Sequence, residues 1–164
     1  MGYVEGRQIL NYIIQGHEMI HSLMSNRQAR MIMQLDLEKA YDKLNWTYIG
    51  KVLVAFGFDH NWVRWVMALV TSSSFSILVN GSPSNTFKPS RGLRQGDPLS
   101  PFLFILMMEG LGRSIKHAKE VGNIKGLQLS ETGQALTHQQ FVDDTMLQGI
   151  PMVKEALAYK TNPE

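Results

Sequence analysis

The chain contains no cysteine. Disulfide staples and thiolate metal sites are therefore excluded, and the fold must rest on its own core. Long apolar runs are missing too. The longest, Phe102 to Met108, has seven residues, whereas a membrane-spanning helix needs about 20. Met1-Gly2-Tyr3-Val4-Glu5 has no basic region followed by an apolar one, so no secretory leader is read there. Neither internal repeats nor low-complexity tracts occur, which excludes solenoids and arrays. Charge of one sign is also scarce. Lys and Arg number 16 against 14 Asp and Glu, a net +2, milder than a dedicated nucleic-acid clamp would carry. The expectation is a soluble intracellular protein, nuclear or cytoplasmic, with no membrane and no disulfide partner.

What is present can fold. An apolar fraction of 44% over 164 residues fills one core, or a large piece of one domain, and 18% charged residues argue against disorder. Ile9, Leu10, Ile13, Ile14, Ile20, Leu23 and Met24 fall at helical spacing between Arg7 and Met24. His17 and His21 lie four residues apart on that stretch, but no third ligand is near them in sequence, so packing explains them better than a metal. Met31-Ile32-Met33-Gln34-Leu35-Asp36-Leu37 reads as a strand buried on both faces. Glu38 to Leu44 has helix-forming composition, and Asn45 offers an N-cap to a helix that stops at Gly57. Asp59 caps another, Trp62 to Val70, whose two tryptophans read as core.

Phe75 to Val79, Asn80-Gly81 and Thr86-Phe87 spell a hairpin, because Asn-Gly suits the tightest hairpin turn. Pro98 or Pro101 opens a long helix to about Ala118. A short Leu127-Gln128-Leu129 strand and a second hairpin centred on Phe141-Val142-Asp143-Asp144 follow, then a helix from Pro151 to Tyr159. The order predicts an α+β fold with a mainly antiparallel sheet.

Three acids carry the chemistry. Asp36 ends an otherwise apolar strand, which is costly unless that end is exposed or faces a cation. Asp143 and Asp144 are adjacent. Neighbours in a strand point to opposite faces, so the pair can work together only at a turn. The plain alternatives are a helix cap for Asp36 and an Asp-rich turn for the pair. If strand pairing gathers the three, their repulsion calls for a cation, and hard divalent ions with oxygen ligands fit best. Arg91-Gly92-Leu93-Arg94-Gln95-Gly96-Asp97-Pro98-Leu99-Ser100-Pro101 adds glycines for close backbone approach and arginines suited to phosphate. Gln95 in it can hydrogen-bond a sugar or base edge.

Met33-Gln34-Leu35-Asp36-Leu37-Glu38-Lys39-Ala40-Tyr41-Asp42, then Arg91 to Pro101, then Phe141-Val142-Asp143-Asp144, resemble in content and order three motifs of one family. It is the reverse transcriptases of non-LTR (LINE-type) retrotransposons, in the plant-like style. Val79-Asn80-Gly81-Ser82-Pro83 and Gly6-Arg7-Gln8-Ile9 are similar to that family as well. The resemblance implies a polymerase palm over 31–164, truncated at its C-terminal end, preceded over 1–30 by a helical remnant of the fingers. It implies RNA-directed DNA polymerase activity, a nucleotidyl transfer to a primer 3′-hydroxyl. Two Mg²⁺ ions, or Mn²⁺ in their place, would be held by Asp36, the Leu37 carbonyl, Asp143 and Asp144. Tyr41 would be the gate against a 2′-hydroxyl. Arg91, Gly92, Gln95 and Gly96 would border nucleotide and template. The implied partners are an RNA template, a DNA primer and deoxynucleoside triphosphates.

Some positions depart from the family's habit. Gly2 to Glu5 stands where a proline-containing lead-in is common, and Gln148 where an apolar residue is. More fingers sequence before residue 1 and more palm and thumb after Glu164 would be expected of a full polymerase. The competing expectation is a catalytically silent retroelement-derived fragment with at most weak nucleic-acid binding, or a bare structural relic. The intact carboxylates count against both. A nucleotide cyclase on a similar palm would share paired acids but has no use for Arg91 to Pro101.

Overall fold

The computed structural model describes residues 9–25, 30–128, 135–141 and 144–151. In chain order the elements are α1 (Ile9–Ser25), β1 (Met31–Asp36), α2 (Ala40–Lys43), α3 (Trp46–Ala55), α4 (His60–Thr71), β2 (Leu78–Val79) and β3 (Ser82–Pro83). After them come α5 (Ser100–Glu120), β4 (His138–Phe141) and β5 (Asp144–Gly149). All strand pairs are antiparallel, and helices and sheet mix as the α+β expectation requires. The chain divides into two units, Met1–Leu37 with Met108–Glu164, and Glu38–Met107.

The first unit is built on a three-stranded sheet of order β1-β5-β4. Met33 lies opposite Leu147 in the register, on the face that meets α5. There Leu147, Ile115, Ala118 and Ile124 form a buried cluster, with Met33 and Leu111 packed against it. The central strand takes the deepest burial, at Thr145, Leu147 and Gln148. β1 was expected to be buried on both faces, and that is corrected. It is an edge strand, half-buried at Met31 to Met33 and exposed from Gln34 to Asp36. Its apolar composition reports β propensity and one covered face, not two.

Among the α1 residues whose side chains are described, Gly16 and Met19 are buried, while Leu10, Ile13, Ile14, Ile20 and Met24 are exposed. These five members of the apolar stripe read from sequence thus lie outside this unit's core. His17 and His21 are exposed. Gln139 of β4 donates to Gln15 of α1. The short strand around Leu127 is a single bridge to Leu136, and Leu129 lies outside the described residues, as does the expected helix beyond Pro151.

The second unit follows its local signals. Asn45 Oδ1 accepts from the Thr47 and Tyr48 amides at 2.7 and 3.4 Å and starts α3. Asp59 Oδ1 accepts from the Asn61 and Trp62 amides at 2.8 and 3.2 Å and starts α4. These bonds satisfy amides that the first turn of a helix leaves unpaired. α3 buries Ile49, Val52 and Leu53, and α4 buries Val63 and Val66. Of the two tryptophans expected in the core, Trp62 stacks on Phe58 with ring centroids 4.5 Å apart. Trp65 is instead 64% exposed. Helical spacing placed both on one stripe, but the buried arc reaches Val63 and Val66 and ends there. Asn80 and Gly81, with φ of 50° and 81°, make the expected turn between β2 and β3. Phe75 and Phe87 close the hairpin's base with paired amide bonds of 2.8 Å. Among the described residues, no helix is long and apolar enough to cross a membrane.

Candidate functional site

The carboxylate end of the sheet comes first, within the first unit. β1 ends at Asp36 and β5 begins at Asp144, and the register sets these two directly opposite each other. More than a hundred residues of sequence separate them. Residues opposite one another in an antiparallel pair project to the same face, with Cβ atoms about 4.5–5.5 Å apart. Asp36 is exposed and Asp144 half-buried. The sequence put Asp36 at a buried strand end. The edge position of β1 corrects this and removes the burial cost that an ionised carboxylate would carry there. Phe141 is paired with Asp144 on the other side of β5, so only two residues lie between the paired ends of β4 and β5. One of them is Asp143, which lies outside the described residues. Leu37 follows β1 directly and is half-buried. Among the described residues, no three His, Asp or Glu side chains gather as a metal site.

Beyond β1 the chain turns sharply. Lys39 adopts the left-handed conformation, φ 53° and ψ 46°, before α2. Such a backbone costs a residue with a Cβ on the order of 1 kcal/mol. Lys43 Nζ and Glu38 Oε2 pair across this turn at 2.8 Å. Lys43 also holds the Glu38 carboxyl below its ordinary range, by hydrogen bond and charge.

Tyr41, Gly92, Leu93 and Gln95 come together in the second unit. Tyr41 is half-buried, and its ring stacks on Phe104 at 4.6 Å and 12°. The segment holding it is tied to the Arg91–Pro101 loop by four hydrogen bonds. The Leu93 amide donates to the Tyr41 carbonyl and the Gly92 amide to that of Leu44, both at 2.8 Å. Trp46 Nε1 donates to the Gly92 carbonyl at 2.7 Å. Gln95 Nε2 donates to Asp42 Oδ1 at 3.3 Å.

Gly92 is obligatory on two counts. Its φ is 93°, and a Cβ there would stand 2.6 Å from the Asp42 carbonyl oxygen. Leu93 is 3% exposed and plugs the loop into the core. Gly96 also has positive φ, 84°, and is exposed, as is Arg91. Arg94 is exposed, and its Nη2 donates to Ser73 Oγ at 2.8 Å, which anchors the loop. Asp97 Oδ1 accepts from the Leu99 amide at 2.8 Å just ahead of α5.

Asp42, Trp46, Ser73 and Phe104 were not singled out as site residues from sequence. Asp42 and Trp46 sit within or just after the Asp36 motif, and that adjacency was the available signal. Nothing local marked Ser73 or Phe104.

Comparison with known proteins matches this arrangement to a family. Residues 1–150 match the reverse transcriptase (RNA-dependent DNA polymerase) family. An uncharacterized mitochondrial protein of Arabidopsis thaliana is 47% identical over 68 residues, which are 42% of this chain and 56% of that one. A retrovirus-related Pol polyprotein from the type-2 retrotransposable element R2DM of Drosophila melanogaster is 36% identical over 117 residues. That alignment covers 71% of this chain but 10% of the polyprotein. Apo telomerase from Candida tropicalis shares the fold with a TM-score of 0.58 at 16% identity, over 92% of this chain and 30% of that one. The chain therefore spans about half of one curated relative and about a tenth of the other, and it belongs to the reverse transcriptase family.

Proposed function

We propose that this chain carries the catalytic carboxylates and the sugar gate of an RNA-directed DNA polymerase. The supporting observation is the Asp36–Asp144 pairing, which sets two motif carboxylates on one face at one end of the sheet. Two acids placed opposite each other destabilise a strand pair unless a cation lies between them. An all-oxygen donor set suits Mg²⁺, with Mn²⁺ as substitute. Asp36, the Leu37 carbonyl, Asp143 and Asp144 would hold the ions. When bound, two such ions lower the pKa of an attacking hydroxyl and steady the leaving oxygen of an in-line phosphoryl transfer.

The protein's own groups do the remainder. Asp36 and Asp144 supply the negative charge that fixes the cations. Tyr41, braced by Phe104, excludes a ribose 2′-hydroxyl by bulk. Gly92, Gln95 and Gly96 present backbone and amide edges to nucleotide and template, and exposed Arg91 meets phosphate. The substrates are deoxynucleoside triphosphates, an RNA template and a DNA primer. Residues 1–30 are read as the edge of the fingers and 31–164 as palm.

A second reading, a catalytically silent fragment that binds nucleic acid weakly at most, is favoured by the apolar side chains exposed along α1. An open apolar face is one that another surface normally covers. Primer extension on an RNA template with Mg²⁺, run beside Asp36→Asn, separates the two. Deoxynucleotide addition that Asp36→Asn reduces to background supports the polymerase. Equal extension by both proteins would refute the site, and no extension by either hands the field to the silent fragment.

A further inference from the structure

We propose that Trp46 is a positioning residue that latches the Arg91–Pro101 loop to the segment carrying Tyr41, so that sugar selection depends on a side chain remote from the nucleotide. The inference rests on the polymerase reading for its functional consequence, but the latch itself is a matter of geometry. Segments 41–46 and 92–95 are joined by four hydrogen bonds. Two of them, Leu93 to Tyr41 and Gly92 to Leu44, are backbone to backbone, and only a proline at the donor position would remove either directly.

The other two differ in strength. Gln95 reaches Asp42 at 3.3 Å on an exposed surface, where water competes. Trp46 reaches the Gly92 carbonyl at 2.7 Å in a partly buried setting, where an unpaired carbonyl is costly. Trp46 is therefore the side chain that holds the closure. Its target is closely packed, since a Cβ on Gly92 would stand 2.6 Å from the Asp42 carbonyl oxygen.

Two further constraints make the latch consequential. Tyr41 is fixed on its ring face by Phe104, and Arg94 fixes the far side of the loop at Ser73. With both ends anchored, the contact between segment 41–46 and Gly92 sets how the two segments lie, and Trp46 is its partly buried side-chain tie. Loosening that contact changes the placement of Gln95 relative to Tyr41. Tyr41 reads the sugar and Gln95 borders the nucleotide, so a loosened latch shows as weaker nucleotide binding and poorer rejection of ribonucleotides, with the chemical step spared.

The test is Trp46→Phe, which keeps an aromatic ring and removes the N–H donor together with the five-membered half of the indole. Amide hydrogen exchange on the whole chain reads the latch without requiring activity. Exchange at Gly92 and Leu93 is expected to rise about three- to tenfold, the range that one lost hydrogen bond supplies. Exchange at Phe75 and Phe87, at the hairpin base, stays unchanged. Single-nucleotide incorporation is expected to show a raised KM for deoxynucleotide with kcat within about twofold, and a smaller deoxynucleotide preference. Unchanged exchange at Gly92 and Leu93 overturns the latch, and a fall in kcat at constant KM overturns the positioning role.

If Trp46→Phe fails to fold, Trp46→Met serves instead, because it also lacks the donor and fills the site with a flexible apolar side chain. The same rise in exchange at Gly92 and Leu93 is expected there, and no rise refutes the latch. Should the wild-type chain add no nucleotide, the polymerase reading fails, and amide exchange still decides the latch.

Discussion

Asp144→Asn should make the metal-free protein more stable and the metal-bound protein less so. Asp36 and Asp144 face each other in register at the end of the β1–β5 pair. At about 5 Å, two unit charges repel by about 0.8 kcal/mol in water and about 3 kcal/mol at an effective dielectric of 20. Asp36 is exposed and Asp144 half-buried, so the lower figure governs. Measured cross-strand effects of about 0.2–1 kcal/mol agree with it. A gain near 0.5 kcal/mol in a chain of this size raises Tm by about 1–2 °C. With Mg²⁺ at ten times its Kd, a native site gains about 1.4 kcal/mol by mass action, or about 3–6 °C.

The order of the two melting curves should therefore reverse when Mg²⁺ is added, the variant melting higher without the ion and lower with it. Calorimetric scans of both proteins, with Mg²⁺ and with chelator, measure this directly. A variant that is less stable in chelator would show that the two carboxylates do not repel. An equal Mg²⁺ shift in both proteins would show that Asp144 is no ligand. Either result defeats the reasoning from register to cation.

Three other outcomes are expected. Tyr41→Ala should raise ribonucleotide incorporation at least several-fold in primer extension, and unchanged selectivity would leave Tyr41 a packing residue on Phe104. Leu53→Ala, at a fully buried α3 position, should cost about 2–5 kcal/mol by urea titration, against about 1 kcal/mol for the exposed caps Asn45→Ala or Asp59→Ala; similar losses would mean the core is not where burial puts it. His138 is held neutral, its pKa pushed down to about 4, chiefly by burial, then by the charge of Lys116, with Glu109 opposing. The unfolded chain protonates near pH 6.5 and the folded one does not until about 4. Stability from this group is therefore complete above pH 6.5 and lost as pH falls toward 4. His138→Gln should flatten the decline of the urea midpoint over that interval, and an identical slope would refute the assignment.

How much of this was legible beforehand depends on the range of the interaction involved. The caps at Asn45 and Asp59 and the Asn80-Gly81 turn were readable, because each is fixed by backbone chemistry within four residues. The motif acids, Tyr41 and the Gly92 loop were readable as types, and their order along the chain identified the family. Burial was not. Asp36 looked costly because its strand is apolar, yet sheet order made that strand an edge. Trp65 shares a helical stripe with Val66 but lies beyond the buried arc. That Arg94 would bond Ser73, 21 residues earlier, was not readable either.

The amino-acid sequence by itself determined which chemistry this protein can attempt: oxygen-donor carboxylates, a ring after them, and a glycine loop with amide and guanidinium groups. Tertiary structure alone decided that Asp36 stands opposite Asp144 and that Trp46 closes on Gly92. Side-chain periodicity encodes which face a residue takes within its own element. It says nothing of which distant strand or loop will lie against that face, because that depends on packing surfaces that exist only once the chain has folded.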